Sequence, residues 1–146
     1  MYGISYLLRH VMHDVMHYNW LLIRPSDMEV ERHKAIDRLV AAARAFAALG
    51  HERGFHVVTV LHPDYFDAAH QTYEYSFAEV VNQLKRLPEV EVVDVLDEWK
   101  SSGLLARDGA SALYWRIDGH NNSKGYAAFG EVVANEILRK GLMTGE

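Results

Sequence analysis

Two short runs of β-branched residues constrain the fold of this chain more than any other feature. The first run reads FHVVTVL from Phe55 to Leu61 and ends at His62-Pro63, and the second covers Val90 to Leu96. The first run does not alternate between apolar and polar residues, which is typical of a strand buried on both faces of a parallel sheet. Helical segments alternate with the two runs, so the sequence predicts α/β architecture with right-handed crossovers.

Apolar side chains recur at near-helical spacing on either side of these strands. The predicted helices are 4–22, about Ser26 to Leu49, Phe77 to Leu87 and Ser123 to Lys140. Gly50 is the expected C-cap of the second helix. In the last helix, one face is expected to carry Tyr126, Phe129, Val133 and Ile137. Residues 64–76 are expected to form a loop, 99–109 a short helix or turn with a following loop, and 112–117 an extended piece.

The predicted sheet is small for an independent domain. The 146 residues fit a single domain spanning 1–146, but two parallel strands leave both sheet edges open. We therefore expect either part of a larger doubly wound sheet or a protomer whose sheet is completed by a second copy or a partner chain.

Charge and composition exclude several classes of function. The chain has 20 acidic and 15 basic side chains and a formal net charge of −5, whereas a nucleic-acid binder needs a basic surface to neutralise phosphates. Since cysteine is absent, disulfides, thiolate metal sites and a cysteine nucleophile are excluded. No uncharged apolar run approaches the roughly 18 residues of a membrane-spanning helix. We expect a soluble chain, cytoplasmic as it stands or exported if a signal peptide precedes it.

An acid and an imidazole stand close together just before the last predicted helix. The segment reads Asp118-Gly119-His120-Asn121-Asn122-Ser123-Lys124-Gly125. Imidazole, with a reference pKa of ~6.5, can take and return a proton near neutrality, and a carboxylate can hold the ring in one tautomer. Side chains at i and i+2 of an extended segment point the same way, so a direct contact between Asp118 and His120 is expected.

The pattern Asp-Gly-His-x-Asn-x-x-Gly, entering a C-terminal amphipathic helix, resembles the last block of the SGNH/GDSL-type hydrolases, a superfamily of serine esterases and acyltransferases. The resemblance covers roughly residues 30–140. It implies the C-terminal part of a flavodoxin-like, three-layer α/β/α sandwich, with His120 as general base and Asp118 as its orienting acid. The commoner family spacing has two residues between acid and histidine, and this sequence has one.

The nucleophile that such enzymes carry in a Gly-Asp-Ser segment does not occur here, and neither does their Gly-x-Asn-Asp segment. The resemblance implies a small ester or an O-acylated carbohydrate or lipid as substrate, and no cofactor. A base and its orienter without a nucleophile or an oxyanion hole should do almost nothing to an ester, because one oxyanion donor alone is worth ~3 kcal/mol. We expect the isolated chain to be inactive, with the serine supplied from elsewhere.

Three further residues are predicted to bind substrate. His62 stands at the carboxyl end of a strand, where α/β ligand sites occur. Tyr65 belongs to a segment rich in aromatics and acids, which fits recognition and equally fits packing against helices. Asn122 belongs to the motif itself. Trp99, Tyr114 and Trp115 are expected to be core or interface residues.

Two alternatives compete with the enzyme interpretation. A degenerate hydrolase that binds or assembles through its open sheet edges would need no nucleophile. A metal protein built on His10, His13 and His17 is the weaker alternative, because no glutamate base accompanies them as it does in known zinc helices. We interpret these histidines as a polar helix face, so no metal site is predicted.

Overall fold

The computed structural model of the 146-residue chain describes residues 25–117 and 119–142. The predicted first helix at 4–22, with its three histidines, and Asp118 lie outside the described residues. The chain's contacts divide it into two units, and the core described below belongs to the unit that begins at Ile36.

Helices and two parallel strands alternate along the described chain, so the α/β prediction is confirmed. The elements are α1 Pro25–Arg53, β1 Val58–Leu61, α2 Tyr65–His70, α3 Tyr75–Lys85, β2 Glu91–Asp94, α4 Val95–Ser101, α5 Leu104–Asp108, a 3-10 helix Ala110–Ala112 and α6 Ser123–Arg139. Strands β1 and β2 pair in parallel, from Val58 opposite Glu91 to Leu61 opposite Asp94. Among the described residues the sheet has these two strands, and each therefore has one open edge.

Helix α1 ends later than the sequence predicts. Gly50 lies inside the helix, and Gly54 instead takes the left-handed conformation, with a φ of 72°. The amide of Phe55 then donates to the carbonyl oxygen of Gly50 at 2.9 Å, which closes a Schellman motif. A Cβ on Gly50 would lie 2.6 Å from the Phe55 carbonyl oxygen. Glycine is required at position 50 by the returning chain, and Gly54 serves the cap.

The segment after β1 contains a helix where the sequence predicts a loop. Asp64 caps α2 by accepting from the amide of Asp67 at 2.8 Å, and Asp67 accepts from the amide of Asp64 at 3.1 Å. This reciprocal pair is a capping box with aspartate in place of glutamate. The helix ends at Gln71, whose φ is 56°. The cap was visible in the sequence as two aspartates three residues apart.

Helix α6 confirms the predicted helix 123–140 to within one residue, but its rotation about its own axis leaves Tyr126, one member of the predicted apolar face, exposed. Tyr126 is 58% exposed, whereas Ala128, Phe129 and Val132 pack against the core. The contact of Gly125 sets this rotation, because the helix approaches the chain at Leu113 so closely that a side chain does not fit there. The helix face that contains Gly125 is therefore the inward one.

The core lies around β2 and the helices that follow it. Its most completely buried side chains are Trp99, Leu84, Leu96, Leu113, Val93, Val95 and Pro63. Trp99 is 1% exposed, as its prediction as a core residue requires, whereas Trp115 is 58% exposed. The core residue Leu113 lies immediately before the turn that carries His120, so the site is attached to the most buried part of the fold.

Candidate functional site

The motif histidine lies on a turn that is braced at both ends. Tyr114 and Asn121 form an isolated antiparallel bridge, and the amide of Trp115 donates to the carbonyl oxygen of His120 at 2.8 Å. One residue further out, the amide of Asn122 donates to the carbonyl oxygen of Leu113 at 2.9 Å. The backbone of His120 is thus fixed at its own carbonyl group and at the two residues that follow it.

Asn122 joins this turn to helix α6. Its Oδ1 accepts from the amide of Gly125 at 3.0 Å, as an N-cap does. Its Nδ2 donates to the carbonyl oxygens of Ala112 at 2.9 Å and Tyr114 at 3.4 Å. Because both ends of the amide are engaged within the protein, we assign Asn122 to holding the turn rather than to the substrate contact that the sequence predicts.

Gly125 has a steric reason to be glycine. A Cβ at this position would lie 2.0 Å from the carbonyl oxygen of Leu113 and 3.1 Å from the Cβ of Asn121. The same carbonyl accepts the Asn122 amide. Asn122 and Gly125 of the motif therefore both allow the start of α6 to pack closely against the turn.

The turn is fastened to the segment that follows β1. The Tyr114 hydroxyl donates to the carbonyl oxygen of Pro63 at 2.7 Å, and Nδ2 of Asn121 lies 2.8 Å from Nε2 of His62. Since His62 and Pro63 come directly after β1, these two contacts hold the His120 turn at the carboxyl end of the parallel strands. This is the edge at which open α/β sheets bind ligands.

His62 and Asn121 form a pair that the sequence did not reveal. The ring of His62 meets Phe129 edge-on, with centroids 4.9 Å apart, and desolvation lowers its pKa. Asn121 is 2% exposed. The Nε2 atom faces the amide nitrogen of Asn121, an arrangement compatible with a neutral ring that carries its proton on Nδ1. His62 lies in the predicted region, but it contacts the turn, so its observed role is to position that turn.

The side chain of His120 is exposed. Asp118 lies outside the described residues, so the contact between this carboxylate and the imidazole stays a prediction. Gly119, between them, has a φ of 71°, a conformation that glycine adopts without strain. The exposed imidazole is therefore preceded by a glycine in the left-handed conformation and followed by Asn121, which forms the bridge to Tyr114.

A cavity of about 790 Å³ opens beside this turn. Its lining residues are Tyr65, Phe66, Ser111, Tyr114, Trp115, Arg116, Ile117 and Gly119. Tyr65, a predicted substrate residue, is in the wall, where its ring meets that of Tyr114 edge-on at 5.9 Å. His62 and Asn122 are not in the lining. The volume lies in the range of small-molecule sites, about 300–1,000 Å³.

A second polar cluster at the same edge of the sheet is structural. Asp94, the last residue of β2, caps α4 by accepting from the amide of Asp97 at 3.1 Å, and it accepts from the Tyr73 hydroxyl at 2.7 Å. Lys85 forms an ion pair with it at 2.6 Å. Burial alone would raise the pKa of Asp94, but the interactions with Lys85 and Tyr73 have the larger combined effect. The pKa of Asp94 therefore lies below its ordinary value. Each partner has a packing or capping purpose, so we assign this cluster no chemistry.

Two residues of the site were not among the predicted site residues. Asn121 is the variable position of the motif and reaches His62 across 59 positions of sequence. Arg116 lies in the cavity wall and is the charged residue among the described residues that line it. A hint of Arg116 was present in the sequence, because it stands between the large apolar residues Trp115 and Ile117 in a segment adjoining the motif.

No metal-binding cluster of three or more histidine, aspartate or glutamate side chains occurs among residues 25–117 and 119–142. None of the helices in this described part combines the length and the apolar character needed to cross a membrane. The chain was also compared with known proteins: no family model matches it, and neither a curated protein nor a solved structure matches it significantly.

Proposed function

We propose that this chain supplies the general base, His120, of a serine-type ester hydrolase or O-acyl transferase whose nucleophilic serine comes from outside the chain. The observation that carries the proposal is the placement of His120, exposed on a braced turn at the carboxyl end of two parallel strands and next to a cavity of about 790 Å³. Catalytic imidazoles need this combination of fixed backbone and access to substrate.

The proposed chemistry is acyl transfer through a serine ester. The serine Oγ attacks the ester carbonyl carbon while His120 takes the hydroxyl proton, and Asp118 stabilises the imidazolium. Collapse of the tetrahedral intermediate breaks the bond to the alcohol oxygen, to which His120 returns the proton. Water or an acceptor alcohol then attacks the acyl-serine with the same base. The substrate in this proposal is a small ester or an O-acylated carbohydrate or lipid.

The proposal includes a larger fold than the described residues contain. The complete domain would be a three-layer α/β/α sandwich of flavodoxin-like type, in which a strand carrying the serine extends the sheet at an open edge of β1 or β2. A parallel strand at that edge would end at the same side as His62 and Asp94, so a residue after it would be delivered toward the His120 turn.

The first experiment is hydrolysis of p-nitrophenyl acetate by the chain as it stands. We expect rates at the level of the uncatalysed reaction, unchanged in His120→Ala. Ser111 provides the control, because its hydroxyl belongs to the cavity wall. Activity that disappears in both His120→Ala and Ser111→Ala would place the nucleophile inside this chain and overturn the outside-serine part of the proposal.

The second experiment tests the base itself. If a Gly-Asp-Ser segment is encoded in frame ahead of Met1, the extended protein should hydrolyse the ester, and His120→Ala should lower kcat by roughly 10³- to 10⁴-fold. The exposed His70 on α2 offers a matched control, since His70→Ala should leave the rate unchanged. An active extended protein that tolerates His120→Ala would refute the proposal.

A non-catalytic assembly module is the second candidate, favoured by an apolar face on α1. Leu39, Phe46 and Leu49 follow one another at helical spacing and are 44%, 59% and 39% exposed. Exposed apolar surface of this kind marks interaction sites, and the open sheet edges add backbone donors and acceptors. Light scattering after size exclusion tests this candidate, and a monomer unaffected by Phe46→Glu would count against it.

A further inference from the structure

We infer that the cavity beside the His120 turn is a binding site for an amphiphilic anion: an apolar chain or ring that carries a carboxylate or a phosphate. That this ligand is also the ester substrate rests on the proposed function, whereas the binding itself does not. The inference comes from three features of the cavity, namely its aromatic wall, its exposed apolar rim and the cation Arg116.

Two aromatic rings of the wall, Tyr114 and Tyr65, are held by contacts within the protein. Tyr114 is 2% exposed and its hydroxyl is tied to the Pro63 carbonyl. The ring of Tyr65 packs edge-on against Tyr114, and that of Phe66 packs edge-on against Tyr65 at 5.5 Å. A preformed apolar wall favours binding, because little side-chain entropy is lost when a ligand arrives.

The rim exposes large apolar side chains to solvent. Phe66 is 57%, Trp115 58% and Ile117 98% exposed. Trp115 lies on the braced turn, where its amide is bonded to the His120 carbonyl, so its backbone position is fixed by the same contact that fixes the histidine. Large apolar side chains grouped at a cavity mouth mark a site for an apolar ligand group.

Arg116 gives the site its charge preference. It stands between Trp115 and Ile117, it is exposed, and among the described residues that line the cavity it is the charged one. Among the described residues no ion pair to Arg116 occurs. The whole chain carries a formal charge of −5, so this local positive charge opposes the overall trend. Guanidinium binds carboxylate and phosphate through two parallel hydrogen bonds, and we therefore assign it the anionic end of the ligand.

Isothermal titration of the full chain with octanoate, octyl phosphate, octyl glucoside, acetate and inorganic phosphate tests this inference, with each amphiphile kept below its micelle concentration. We expect octanoate or octyl phosphate to bind at least about tenfold more tightly than octyl glucoside. Acetate and inorganic phosphate should not bind measurably, because they lack the apolar part. A preference for octyl phosphate over octanoate, or the reverse, would identify which anion the site takes.

Arg116→Gln should lower the affinity for the preferred amphiphilic anion about tenfold and leave the affinity for octyl glucoside unchanged. Trp115→Ala should lower the affinity for both amphiphiles. Arg86→Gln is the matched control, because Arg86 is an exposed arginine at the end of α3. Equal binding of charged and neutral amphiphiles, an unchanged affinity in Arg116→Gln, or no binding of any amphiphile would each overturn the inference. These assays involve no catalysis, so their failure leaves the role of His120 to its own test.

Discussion

Replacing Gly125 with alanine tests whether the motif glycine is there for a steric reason. The added Cβ would lie 2.0 Å from the carbonyl oxygen of Leu113, whereas real Cβ atoms essentially never approach closer than 3.0 Å. Either α6 or the chain at Leu113 must therefore move by at least about 1 Å. Leu113 is fully buried, with 0% exposure, so it has no free direction in which to move.

The free-energy change follows from three contributions. Forcing a methyl group against packed backbone costs about 1–3 kcal/mol. Weakening of the 2.9 Å bond from the Asn122 amide to Leu113 adds about 1 kcal/mol. The better helix propensity of alanine returns at most about 1 kcal/mol. The net expectation is a loss of about 1–3 kcal/mol in the free energy of unfolding.

Gly130→Ala is the matched control in the same helix. No heavy atom lies within 4 Å of a Cβ built on Gly130, so alanine there should stabilise the protein by about 0.4–1 kcal/mol. Urea unfolding followed by circular dichroism measures both variants, with the midpoint as the readout at unchanged slope. A Gly125→Ala protein as stable as the parent, alongside a stabilised Gly130→Ala, would refute the close approach of α6 to the turn.

Three other changes test the contacts around the site. Asn122→Ala removes the cap of α6 and two donors to the turn, and urea unfolding should register a loss of about 1–2 kcal/mol; an unchanged midpoint would contradict the assigned bonds. Tyr73→Phe removes the buried hydroxyl bonded to Asp94 and should cost about 1–2 kcal/mol, whereas a neutral result would mean that the hydroxyl is not needed there. The lowered pKa of His62 means that the unfolded chain takes up a proton first as the pH falls below ~6.5. This contribution to stability is therefore present above that pH and is lost as the pH falls toward the pKa of the folded state. It should be missing from the pH dependence of His62→Gln. An NMR titration that gave the His62 ring a pKa above the ordinary value would reverse the expected sign.

Local sequence was sufficient where the determining contacts are local. The strands at 58–61 and 91–94 and the helices at 75–85 and 123–139 were predicted because side-chain periodicity and β-branching act within a few residues. The N-cap of α6 is Asn122, a residue that the sequence instead predicts to bind substrate. The missed helix α2 is a partial exception, since its aspartate capping box was present but was outweighed by the aromatic residues around it.

Close approach between distant segments was beyond the reach of the sequence. Gly50 looked like a helix cap, and only the return of Phe55 over the helix end reveals that it is a packing glycine. The predicted apolar face of α6 included Tyr126 because hydrophobic spacing alone fits more than one face. The contact of Gly125 with Leu113 selects among those faces, and no local rule contains it.

The sequence by itself determined the α/β class, the absence of thiol chemistry and the place of an acid–imidazole motif at the start of the last helix. Tertiary structure decided that this motif lies at the carboxyl end of the strands, because the Tyr114–Pro63 and Asn121–His62 contacts join segments 51 and 59 positions apart. It also decided that Trp115 and Arg116 line a cavity instead of the core. Composition and residue spacing report on local structure, whereas a site is formed by side chains that are distant in sequence and in contact in the fold.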